Sequence, residues 1–304
     1  MNNQLDQKIE FYLNQCLPRH SFADVYKYGV LPAGKLFRPK LALASFNDSS
    51  RDQAAYNEDL WKLCTALEIH HAYTLIHDDL PAMDDDDMRR GQLSTHKKFG
   101  QWQAILAGDG LSIASFRLLS RITHPSAQLL SQISAHALGP KGLIQGQALD
   151  LSHEMNLSFE NLLKTHELKT ARLIQLSLVG GALLATPKVE TKSLKQLWRL
   201  GYAVGVSFQL LDDLLELCDE TLSQHEKDIN PWPKLTAKCS NKTQKLLKTV
   251  DQMASKNIKN ELALYYKKTL EAALKGQKNI ETHIRDNNQL QPVMSLLNIL
   301  SKTN

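Results

Sequence analysis

The stretch His77-Asp-Asp-Leu-Pro-Ala-Met-Asp-Asp-Asp-Asp-Met-Arg-Arg-Gly91 gathers an unusual density of charge. Six of the ten positions from Asp78 to Asp87 are aspartate, and Arg89 and Arg90 follow at once. Carboxylate oxygens are the hard ligands preferred by Mg²⁺ or Ca²⁺, while paired guanidinium groups suit phosphate oxygens. Side by side they describe a site for a metal-chelated polyphosphate. Two plainer readings compete: a solvated acidic loop and a calcium loop. The stretch lacks the Asp/Asn and Gly periodicity of an EF-hand, which counts against the calcium loop. A second acidic set lies in the other half of the chain, in Phe208-Gln-Leu-Leu-Asp-Asp-Leu-Leu-Glu216. Asp212 and Glu216 are four apart and share a helix face, with Gln209 a turn earlier. Two acids one turn apart among leucines repel unless a cation bridges them.

The elements that carry these residues are helices. Apolar residues recur at helical spacing from Trp61 through Leu63, Leu67, Ala72 and Leu75, so a long helix over 54–79 ends in Asp78 and Asp79. Acids oppose the negative end of the helix dipole, and a local rule broken without local gain points to function or to a bound cation. Asp84 is six residues on, on another face of a regular helix; Pro81 should end or distort the helix and let Asp84 swing toward Asp78. Upstream, Gly34 precedes Lys35 and Arg38 near a helix start, where cations are unfavourable unless an anion sits between them. Further helices are expected over 3–16, 22–29, from near Trp102, over 125–138, over 140–150, after a Ser158 cap, and over 190–218. Gly91 to Gly100 reads as a loop, 219–240 as irregular with Pro231-Trp-Pro233 as a turn, and Asp109 as a polar partner inside the bundle. Two or three helices complete the chain, the last with Val293, Leu296, Leu297 and Leu300 as its packing stripe.

Composition narrows the class. With 14 Gly, 10 Pro and a 3.6-residue period through most of its length, the chain is all-α, and 304 residues suit one large helical bundle as a single domain. A net charge of +4, with lysines crowding Lys234 to Lys248 but no interleaved Arg and aromatics, describes a solvated face rather than a nucleic-acid surface. Cys16, Cys64, Cys218 and Cys239 show no metal-ligand spacing and read as reduced thiols of a cytoplasmic protein. Neither a signal peptide nor a membrane span is expected, since the most apolar window, Leu173 to Ala185, falls short of the roughly 20 residues a bilayer requires.

The run from His71 to Gly91, with Phe99-Gly and Ala104-Ile-Leu-Ala-Gly-Asp109 downstream, resembles the trans-isoprenyl diphosphate synthase family, and within it the bacterial farnesyl diphosphate synthases. Gly34-Lys35 with Arg38-Pro39, His166-Lys169-Thr170 and Phe208-Gln209-Asp212-Asp213 match the other family motifs in order, so the resemblance covers roughly residues 30–220. It implies a helical bundle of the isoprenoid synthase type with a central cavity and a homodimer. Two or three Mg²⁺ ions would be held by Asp78, Asp79 and Asp84 with Asp212, Asp213 and Glu216. Arg89, Lys169 and Gln209 would contact the diphosphate of an allylic substrate, and Lys35, Arg38, His71 and Arg90 would hold isopentenyl diphosphate. The resemblance also implies carbocation chemistry. C–O ionisation releases pyrophosphate, Thr170, Gln209 and the Lys169 carbonyl stabilise the cation, and pyrophosphate removes the final proton. Tyr73 and Thr74, about one turn deeper than Asp78, would set product length, and a bulky aromatic there implies fifteen carbons.

This chain departs from the family pattern at Ala33, Leu36, Leu93-Ser94 and Glu216. Gln224 to Pro233 does not align with the family's closing loop, where Lys227, Asp228 and Lys234 are the available substitutes. Other readings therefore stand beside the synthase: a non-catalytic or partner-dependent subunit that binds prenyl diphosphates, a synthase of a ten- or twenty-carbon product, and a calcium-binding helical interaction protein. The last leaves Lys35, Lys169 and Asp212 unexplained.

Overall fold

The computed structural model describes residues 2–50, 57–219, 229–284 and 287–302. The chain is built of α-helices, and the sheet among the described residues is one two-stranded hairpin. Two compact units are formed, one from Met1–Ala135 with Val179–Val189 and the other from His136–Leu178 with Glu190–Asn304.

In the first unit the helix Glu58–Asp78 is the axis. Asn57 caps it, its side chain accepting from the Leu60 N–H at 2.8 Å. Leu60, Leu63, Cys64, Leu67, Ile69 and Ala72 are almost wholly enclosed. A helix apolar on most sides must be surrounded, and this one packs against Gln101–Ser120, Phe37–Ser49 and Asn2–Asn14. The approach of Gln101–Ser120 depends on small residues. A Cβ on Gly108 would stand 2.1 Å from His77 Nε2, so only glycine admits that ring. The expected loop before this helix is partly ordered as a strand, Gln92–Leu93, and a short helix, Thr95–Phe99. Asp109 is not inside: its side chain is 63% exposed, 3.9 Å from His77 Nε2.

In the second unit Thr191–Glu216 packs against Pro231–Met253 and against a π-helical turn, Glu167–Ala171. Ser158 caps Phe159–His166 as expected, accepting from the Asn161 N–H at 3.0 Å. The run Phe159–Ala185 is long and apolar enough to cross a membrane by length and composition, but 89% of its most apolar window is buried in the protein. The segment expected to be irregular becomes helical at Pro231. Proline fits the first turn because those N–H groups have no intrahelical partner, and Asn230 caps the helix by accepting from the Trp232 N–H at 3.1 Å. Trp232 is fully buried, its Nε1 donating to the Leu210 carbonyl at 2.7 Å. Lys227 and Asp228 lie outside the described residues.

Candidate active site

The helix Glu58–Asp78 ends three residues before Pro81, and the chain turns back on itself. The Asp84 N–H donates to the Asp78 carbonyl at 2.9 Å, and the Asp85 N–H to that of Leu80 at 3.2 Å. The proline-induced turn thus brings Asp84 to the end of the helix that carries Asp78. Asp79 is 2% exposed and receives two bonds from Arg89, from Nε at 2.8 Å and from Nη2. Burial pushes the Asp79 carboxyl above the ordinary carboxylate range, and the Arg89 guanidinium opposes that rise. Arg89 Nη2 also reaches Asp86 at 2.7 Å.

A hairpin aims the two arginines differently. Met88–Arg89 pairs with Gln92–Leu93 across a two-residue turn, Arg90-Gly91, whose φ values of 54° and 80° are both positive. That is the turn geometry that matches strand twist, and Gly91 adopts it without steric cost. Arg89 stays on the strand, turned to Asp79, while Arg90 at the tip reaches Glu68 Oε1 at 3.6 Å. Its guanidinium lies against Gly34, where a Cβ would come within 3.1 Å of Arg90 Cζ.

Around Arg90 is a basic cluster with a buried acid at its base. Glu68 is 2% exposed; burial raises its carboxyl, while Arg90, Arg38 and the Gly34 N–H pull it down. Burial pushes Arg38 down to about 10, against the attraction of Glu68. Arg38 Nε is buried with no hydrogen-bond partner among the described residues, a donor left for an acceptor that the protein does not supply. Burial and the neighbouring Arg38 and Arg90 charges hold His71 neutral, well below the ordinary imidazole range. Lys35 is exposed beside Gly34. Deeper in the same helix, Tyr73 is 9% exposed, its ring edge-on to His70 at 4.5 Å and to His77 at 5.7 Å. Thr74 Oγ1 donates to the His71 carbonyl at 2.8 Å.

The second unit holds the other acidic set in a hydrogen-bonded chain. Thr170 Oγ1 donates to Gln209 Oε1 at 3.2 Å, and Gln209 Nε2 to Asp213 Oδ1 at 3.3 Å. His166 Nε2 is 3.2 Å from Asp213 Oδ2, and both residues are buried. Lys169 Nζ is paired with Asp150. The π turn that carries Lys169 and Thr170 is gripped closely: a Cβ on Gly146 would stand 2.3 Å from the Lys169 N, and one on Gly205 would stand 2.4 Å from Ala171 Cα. Single π turns interrupt the regular helical ladder and occur often at functional sites.

The first unit therefore brings Asp78, Asp79, Asp84 and Arg89 to one helix end and Arg38, His71 and Arg90 to one cluster. The second joins Thr170, Gln209 and Asp213. Arg89 is bonded to one oxygen of Asp79, and the two oxygens of Asp213 meet His166 and Gln209. Asp78, Asp84, Asp212 and Glu216 offer oxygen only, the donor chemistry of a hard cation such as Mg²⁺. Asp85, Asp87 and His96 also place one ligand atom each within 4.8 Å of the others, but Lys97 Nζ already neutralises Asp87 at 2.7 Å. Glu68 as the base of the arginine cluster and His166 as the partner of Asp213 were not assigned from the sequence. Both are buried polar residues within helices, a signal that each has a partner elsewhere.

Residues 19–268 match the family model for polyprenyl synthetase. A farnesyl diphosphate synthase of Geobacillus stearothermophilus is 36% identical over 225 residues, covering 71% of this chain and 74% of that protein. One of Escherichia coli is 39% identical over 207 residues, covering 65% and 67%. A geranylgeranyl diphosphate synthase of Cyanophora paradoxa is 35% identical over 218 residues, covering 69% and 71%. Among solved structures, a geranyltransferase of Helicobacter pylori has a TM-score of 0.68 at 29% identity, covering 99% of this chain and 98% of that one. The same enzyme complexed with magnesium and isoprenyl diphosphate has a TM-score of 0.64 at 28% identity, covering 98% and 96%.

Proposed function

This chain belongs to the polyprenyl synthetase family, and from that premise we propose that it is a Mg²⁺-dependent farnesyl diphosphate synthase. Acting as one synthase domain, it condenses isopentenyl diphosphate with dimethylallyl or geranyl diphosphate. The observation that carries the reading is the first unit's pairing of an acidic turn, Asp78 to Asp84, with an arginine cluster that holds the unpartnered Arg38 Nε.

In this reading Asp78, Asp79 and Asp84, with Asp212, Asp213 and Glu216, would hold two or three Mg²⁺ ions, which would supply positive charge to the departing pyrophosphate. Asp79 also orients the Arg89 guanidinium, and Asp213 the Gln209 amide. Arg89 and Lys169 donate to the allylic diphosphate, stabilising the negative charge that develops as the C–O bond ionises. For Lys169 this means exchanging Asp150 for the substrate. Arg38, Arg90, Lys35 and neutral His71 hold isopentenyl diphosphate, with Glu68 attracting both arginines and offsetting the repulsion between them. The oxygens of Thr170 and Gln209 and the Lys169 carbonyl face the allylic cation. The isopentenyl double bond attacks it, and pyrophosphate takes the proton, so no protein base is required. Tyr73, with Thr74 beside it, closes the path of the growing chain at fifteen carbons.

The protein is read as a cytoplasmic homodimer. Trp102, Ile105, Leu106 and Ile113 are 44–70% exposed on one helix, an apolar stripe that a second copy would cover.

The test is incubation with labelled isopentenyl diphosphate and either dimethylallyl or geranyl diphosphate, with and without Mg²⁺, followed by product chromatography. A fifteen-carbon product formed only with Mg²⁺ is expected. A twenty-carbon product would move the chain toward the geranylgeranyl synthases, and binding without elongation would make it a non-catalytic subunit.

A further inference from the structure

Asn230 lies in the stretch that does not align with the family's closing loop, and its side-chain amide spends both donor hydrogens on the second acidic set. It is 3% exposed. Nδ2 donates to the Asp213 carbonyl at 2.6 Å and to Glu216 Oε2 at 3.1 Å, while Oδ1 accepts from the Trp232 N–H at 3.1 Å. Only this orientation of the amide satisfies all three partners, because the Trp232 N–H demands an oxygen. The Asp213 carbonyl lies in the last turn of Thr191–Glu216, where helices leave carbonyls without intrahelical donors. Asn230 therefore ties off the end of one helix, caps the start of the next, and holds one oxygen of Glu216 between them.

Glu216 stands where the family motif ends in aspartate, so its carboxylate lies one methylene further from the backbone, and the residue is exposed while Asn230 is buried. We propose that Asn230 is a positioning residue that fixes the Glu216 carboxylate for Mg²⁺ binding. Hydrogen bonds of this kind to metal-ligating carboxylates typically set metal affinity over a 10–100-fold range. The inference rests on the assignment of Glu216 as a metal ligand.

The test is Mn²⁺ binding in the presence of inorganic pyrophosphate, followed by the electron paramagnetic resonance of the free ion. It compares full-length wild type with Asn230→Ala, Asn230→Ser, Glu216→Gln and the Asn230→Ser/Glu216→Gln double variant. Serine can still cap the helix at Trp232 but is too short to reach Glu216 or the Asp213 carbonyl, so Asn230→Ser keeps the cap if Asn230→Ala fails to fold, and the double variant separates the Glu216 contact from the loss of the Asp213 bond. Asn230→Ser is expected to raise the Mn²⁺ Kd roughly 10–100-fold, and the double variant to be no weaker than Glu216→Gln alone. An unchanged Kd in folded Asn230→Ser, or losses that simply add in the double variant, would overturn the inference, since a purely structural role predicts one of those results. If wild type binds the metal–pyrophosphate pair and Asn230→Ser weakens it, but neither elongates isopentenyl diphosphate, the proposed activity fails and the role of Asn230 stands.

Discussion

Replacing Tyr73 with alanine tests how the Glu58–Asp78 helix limits the product. Tyr73 precedes Asp78 by five residues, about 7.5 Å along the helix axis at 1.5 Å per residue. Its ring is 9% exposed and meets His70 at 4.5 Å and His77 at 5.7 Å, both edge-on. Burial, with a smaller push from Asp78, raises its phenol to about 12, so the side chain is neutral at working pH. Truncation should destabilise the fold by about 3–5 kcal/mol, as for other large aromatics cut to alanine. Each edge contact contributes about 0.5–1.5 kcal/mol of that. Total stabilities are about 5–15 kcal/mol, so Tyr73→Ala should remain folded at low temperature, where the assay belongs. Mass spectrometry of the product should show a shift from fifteen to twenty or more carbons, and Tyr73→Phe, which keeps the ring, should hold at fifteen. A folded Tyr73→Ala with an unchanged product profile would refute the assignment.

Two further perturbations test the packing around these residues. Burial pushes the His70 imidazole down to about 3 from its ordinary value of 6.5, so below pH 6.5 the unfolded chain binds a proton that the folded chain refuses. The stability contribution is therefore intact above pH 6.5 and declines toward pH 3, by about 1.4 kcal/mol per unit. Urea midpoints at pH 6.5 and 5.5 should show this loss in wild type and a shallower one in His70→Leu; equal slopes would contradict it. In Gly205→Ala the new Cβ would lie 2.4 Å from Ala171 Cα. The helix-propensity gain of about 1 kcal/mol should be outweighed by overpacking of about 1–3 kcal/mol. Thermal melting should record a lower Tm, and a raised one would show that the π turn can yield.

Local patterns in the sequence carried much of the first site. The helix ending at Asp78, the break imposed by Pro81 and the return of Asp84 follow from one proline and a 3.6-residue period, and the Ser158 cap from one residue type. What stayed hidden depends on contacts distant in sequence. Glu68 and Arg90 are joined only by the hairpin that turns at Gly91. The π turn at Glu167–Ala171 depends on close approach at Gly146 and Gly205, which helical periodicity does not reveal. Pro231-Trp-Pro233 reads as a turn by composition, yet the Asn230 cap and the burial of Trp232 make it the first turn of a helix. Asp109 looked internal because its neighbours are small and apolar, but that stripe contains both a packed face and an exposed one.

The claim beneath the mechanism is that both acidic sets serve one ionisation step. The direct measurement is pyrophosphate release from geranyl and isopentenyl diphosphates at saturating Mg²⁺ by wild type, Asp78→Ala and Asp212→Ala, each shown to be folded by circular dichroism. Each substitution alone should lower kcat by roughly 10²–10³-fold or more, the loss expected when a group that stabilises developing charge is removed. Wild-type turnover in either variant would take that acidic set out of the reaction and contradict the account.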